Sequence, residues 1–90
     1  METKVLNYRV IIEPEKMGKK TVYNAYCPTL GVADYGDTIE DTLVSLKDGI
    51  ELAIGCLVEE GKEIPVDNIA EQFIATAQVK VPPRAKLSYV

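Results

Sequence analysis

Tyr35-Gly36-Asp37-Thr38-Ile39-Glu40-Asp41-Thr42-Leu43 switches the chain from one hydrophobic period to another. Before it, apolar residues alternate every second position, as in strands. After it they recur every three and four, as in a helix. Thr38 is placed to cap the helix, its hydroxyl accepting from an N–H of the first turn, and Asp41 stands at N3 as in a capping box. Glu40 and Asp41 complement the positive end of the helix dipole. Ile39, Leu43, Leu46, Ile50, Ala53 and Leu57 then make a continuous apolar stripe, widened by Ile54. The helix is expected to run to about Glu60 and end at Gly61, a C′ residue. Gly49 falls at the edge of the stripe, where it permits close contact with a sheet. Gly55 falls on the opposite side, near Val44 and Leu52.

On the N-terminal side, Leu6 to Glu13 alternates as a first strand and Pro14 is read as its end. Glu15 to Lys20 is a polar loop with Gly18 available for positive φ. Thr21 to Cys27 is a second strand, ended by Pro28. Gly31 opens a third, Val32 to Tyr35. Beyond the helix, Ile64-Pro65 breaks the chain. Phe73, Ala75, Ala77, Val79 and Val81 then alternate with polar and apolar neighbours, which predicts a fourth strand over 73–81, before Pro82-Pro83 and a tail over 82–90. The expected fold is α+β in the order β-β-β-α-β, an antiparallel three-stranded meander plus a fourth strand with one long helix packed on the sheet.

The chain has 90 residues, room for one small domain. A domain of that size buries roughly 60–65% of its unfolded surface, so its core is modest and oligomerisation would supplement it. Ten basic side chains stand against fourteen acidic ones, with no histidine. Histidine catalysis and mixed Cys/His zinc sites are thereby excluded. Nucleic-acid binding by bulk positive charge is disfavoured. Residues 1–37 are neutral and residues 62–90 carry +1, so the negative balance, −5, lies on residues 38–61. A solvated outer face ordinarily explains such a run. The functional alternative is an acidic surface that steers a basic partner.

Asp34, Asp37, Glu40 and Asp41 cluster in sequence, but the last three are accounted for by the helix start, and no second carboxylate group completes a two-metal site. No phosphate loop or nucleophile elbow is present. Neither a catalytic residue nor a metal or cofactor site is therefore expected. Cys27 and Cys56 are expected as free thiols. No apolar run is long enough to span a membrane and the N-terminus lacks a signal-peptide core, so the expected location is the cytoplasm.

Tyr23-x-Ala25-x-Cys27-Pro28-Thr29-Leu30-Gly31, followed by Tyr35-Gly36-Asp37-Thr38-Ile39-Glu40-Asp41-Thr42-Leu43 and then by Glu59-Glu60-Gly61-Lys62-Glu63-Ile64-Pro65, resembles the HicB-like antitoxin family. The resemblance covers roughly residues 8–81, taken as the domain, 1–81. Pro28, Leu30, Gly36, Asp37 and Thr38 carry its signature. It implies a degenerate, partial RNase H-like fold and a prokaryotic, non-enzymatic role: binding and masking a small, basic, HicA-like ribonuclease toxin, with the antitoxin a homodimer. Asp41, Asp48 and Glu51 are the candidate contacts for that partner. Many HicB proteins have Pro-x-Leu-Pro-Gly where Leu30 here meets Gly31 directly. Many also carry a C-terminal DNA-binding module. Nine residues follow Val81, so no direct DNA binding is expected. The rival reading is an orphan RNase H-like domain, RNA-binding or structural, without a toxin.

Overall fold

Two hairpin-connected turns lay three strands side by side before the chain crosses them with a helix. The computed structural model describes residues 4–68 and 73–89. Strands β1 (Ile11–Met17), β2 (Lys20–Cys27) and β3 (Val32–Gly36) form an antiparallel sheet in the order β1-β2-β3, followed by helix α1 (Ile39–Glu59). Met17 pairs with Lys20, so Gly18-Lys19 is a two-residue turn. Gly18 has φ 66°, and among the described residues no non-glycine has positive φ, so Lys19 does not, the pattern of a type II′ hairpin. Cys27 pairs with Val32 across the next turn, closed by the Gly31 N–H donating to the Cys27 carbonyl at 2.8 Å.

The first strand differs from expectation. It begins at Ile11 rather than Leu6, and Pro14 does not end it: Pro14 pairs with Tyr23 and the strand continues to Met17. Among the described residues β1 is an edge strand, where a proline's missing N–H is tolerated. β2 and β3 lie where the sequence places them, within a residue. So does α1, with Thr38 as N-cap: its side chain accepts from the Asp41 N–H at 3.0 Å. At the other end the Gly61 N–H donates to Val58 and the Lys62 N–H to Leu57, with Gly61 at φ 68°. That is a Schellman ending.

The predicted fourth strand is not formed. Residues 73–81 carry no regular structure and are exposed throughout. A period-two pattern yields a strand only where a neighbouring edge accepts its hydrogen bonds, and the described sheet ends at β1 and β3. The β-β-β-α part of the expected order is present; the closing β is not.

Side chains of Tyr23, Ala25 and Cys27 share the sheet face covered by α1 with Val32, Asp34 and Gly36. Ile11, Glu13, Asn24, Tyr26, Ala33 and Tyr35 share the other. The buried apolar side chains are few: Val22, Ala25, Cys27 and Leu46, joined by Thr42. Leu46 alone brings about 2 kcal/mol by leaving water. The helical stripe is only partly covered, since Ile39 and Leu43 are exposed and Ile50, Ile54 and Leu57 half-buried. The chain exposes 8232 Å², against about 5,200 Å² for a compact monomer of this mass. Its radius of gyration is 17.6 Å, against about 12 Å for a compact domain of this length.

Candidate partner-binding surface

Helical spacing arranges the outer side of α1. Asp41, Val44, Asp48, Glu51 with Leu52, Gly55 and Glu59 follow one another by three and four residues, which sets them on one stripe. All are exposed; Val44 and Leu52 are 63% and 71% accessible. A Cβ built on Gly55 meets nothing within 4 Å. The stripe is therefore two apolar side chains and an open glycine step, flanked by carboxylates. Among the described residues, none of Asp41, Asp48 and Glu51 is in an ion pair.

The signature residues Gly36, Asp37 and Thr38 lie at the β3–α1 junction and are used up locally. A Cβ on Gly36 would stand 2.7 Å from Thr42 Oγ1 and 3.1 Å from its backbone nitrogen. Only glycine lets the helix settle that closely on the sheet. The Thr42 hydroxyl donates to the Thr38 carbonyl at 2.6 Å, so this buried polar side chain is satisfied. Asp37 pairs with Lys20 at 2.8 Å on the surface, a contact worth little in water. Pro28 and Leu30 form the half-buried β2–β3 turn. Gly49 does make the close approach its position suggests, since a Cβ there would be 3.2 Å from Val32 Cγ1.

Four hydrogen bonds had no signal in the sequence. The Ser45 hydroxyl donates to Asp34 Oδ2 at 2.5 Å, and the Tyr35 N–H donates to Oδ1 at 2.8 Å. Those two bonds, Ser45 first, hold the Asp34 carboxyl below its ordinary pKa. The Tyr8 hydroxyl donates to the Pro65 carbonyl at 2.6 Å, and the Arg9 N–H to Asp67 Oδ2 at 2.7 Å. Burial, then the charges of Cys27 and Asp67, push the Tyr8 phenol above its usual pKa. These bonds join residues 57 and 58 positions apart, a separation no local pattern encodes. They tie the segment after α1 to the segment before β1.

On the outer sheet face, Ile11, Glu13, Asn24, Tyr26, Ala33 and Tyr35 border a shallow, open depression. Tyr26 and Tyr35 are exposed there, while Tyr23 turns toward the helix. Among the described residues, no group of three or more Cys, Asp and Glu side chains is placed to hold a metal ion. No helix among them is long and apolar enough to cross a membrane.

Sheet, junction and helix together define a small α+β domain, an open antiparallel meander under one helix whose outer face is exposed. The UPF0150 protein ssr1765 of Synechocystis sp. (strain ATCC 27184 / PCC 6803 / Kazusa) is 35% identical over 66 residues, covering 72% of this chain and 80% of that protein. The chain belongs to the UPF0150 family. No family model matches it, and no solved structure matches it.

Proposed function

We propose that the protein is a non-enzymatic, antitoxin-type binding module that masks a small, basic, HicA-like ribonuclease. The observation that carries this reading is the outer stripe of α1. Its exposed Val44, Leu52 and Gly55 suit the packing of a partner helix, and Asp41, Asp48 and Glu51 beside them suit a basic one. Family membership and the HicB-like order of motifs support the same reading.

The test is co-expression with the product of an adjacent open reading frame encoding a short, basic, histidine-containing protein. The two are expected to co-purify, and growth arrested by the neighbour alone is expected to resume. The combined variant Asp41→Lys, Asp48→Lys, Glu51→Lys is expected to lose both effects while keeping its helical content and native mass. A toxic neighbour that stays toxic and unbound beside the wild-type chain would overturn the proposal. So would metal-dependent RNA cleavage by this protein that disappears on replacing Glu13 or Asp34.

A further inference from the structure

Between the N-terminal segment and α1 runs an open groove of 780 Å³, lined mainly by Leu6, Val10, Leu43, Leu46, Ile50 and Ile54. It is the uncovered part of the helical stripe. The same chain carries an unused apolar segment, 73–81, whose residues alternate as a strand and touch almost nothing: Phe73 is 93% exposed and Val79 73%. Groove and segment are complementary in chemistry and do not meet within one chain. We propose that the protein is a strand-exchanged homodimer in which residues 73–81 of each copy lie in the groove of the other.

The exposed surface is large enough for an arrangement of this size. The chain exposes 8232 Å², about 3,000 Å² beyond a compact monomer of its mass. A stable dimer buries about 1,200–2,000 Å² in total. Covering a third of the excess on each copy therefore suffices. A second copy is the occupant because exchange about a two-fold axis fills both grooves and covers both segments at once, closing the assembly. Backbone chemistry agrees. Residues 4–8 and Val10 line the groove outside the described strands, and residues 73–81 carry no regular structure. A strand added from the partner would supply ladder bonds to both. This assembly is independent of the toxin-binding reading, which concerns the outer side of α1.

Light scattering on the eluting wild-type protein, followed by an isotope-filtered NOE spectrum on mixed labelled and unlabelled copies, tests the proposal. The expected mass is twice 9.9 kDa. Contacts between copies are expected from the methyls of Val79 and Val81 to those of Ile50 and Ile54. The variant Val79→Asp, Val81→Asp alters only exposed residues and is expected to keep the helix. It should weaken dimerisation at least about 100-fold. A monomer would overturn the exchange, whether its segment folds back into its own groove or stays free for another protein. So would a dimer lacking those contacts between copies.

Discussion

Gly36→Ala is the most informative single change at the β3–α1 junction. The added methyl would stand 2.7 Å from Thr42 Oγ1 and 3.3 Å from Thr42 Cα, inside the ~3.5 Å at which non-bonded atoms meet without repulsion. Thr42 cannot swing away freely, because its hydroxyl is held by the Thr38 carbonyl at 2.6 Å and the side chain is fully buried. Overpacking of this kind costs about 1–3 kcal/mol, and losing the hydroxyl bond adds about 1 kcal/mol. The expected total is about 2–4 kcal/mol. Thr42→Ala removes the shortest contact and leaves the Thr38 carbonyl satisfied by the Thr42 N–H at 3.0 Å. Alone it should cost about 1 kcal/mol. In that background Gly36→Ala should cost under about 1 kcal/mol, giving a coupling of about 1.5 kcal/mol. The assay is urea unfolding followed by helical circular dichroism, at one protein concentration for all four proteins, since assembly contributes to stability. Additivity within about 0.5 kcal/mol would refute the steric account.

Two further predictions use side-chain chemistry. Ser45→Ala should raise the Asp34 pKa toward its ordinary value, read by NMR titration of the carboxyl carbon. A depressed carboxyl stabilises the fold above the ordinary Asp range, and that contribution is lost as pH falls through the folded value; the Ser45→Ala penalty should therefore be larger at neutral pH than in acid, and an unmoved Asp34 titration would contradict it. Of the two thiols, Cys56 is exposed and Cys27 buried, so a thiol reagent should modify one cysteine per native chain quickly and the second only on unfolding. Two fast equivalents would show that the core does not protect Cys27.

Local chemistry made most of the fold legible. Thr38 and Gly61 bound the helix in the sequence as they do in the structure, because caps act within a few residues. Pro14 was misleading since its effect depends on sheet position: in a central strand it would break a ladder, and at the edge it does not. Residues 73–81 misled for a related reason, as alternation specifies a strand only together with a partner edge. Thr42 reads as an ordinary helical threonine. Its burial follows from Gly36, six residues earlier, and only the packed junction shows the pairing. The acidity of α1 and the grouping of Val44, Leu52 and Gly55 on its far side were both visible in the sequence; that the stripe stays uncovered emerges once the helix is seated.

Under the proposed function, the outer stripe of α1 is a docking face for a basic protein. It is tested most directly by titration calorimetry of the co-expressed basic partner against the wild-type chain and the Asp41→Lys, Asp48→Lys, Glu51→Lys variant. Three charge reversals on an exposed face are expected to cost about 2 kcal/mol in total, or roughly 30-fold in Kd. The wild-type affinity should also fall with added salt. An unchanged Kd in the variant, with affinity insensitive to salt, would contradict the claim.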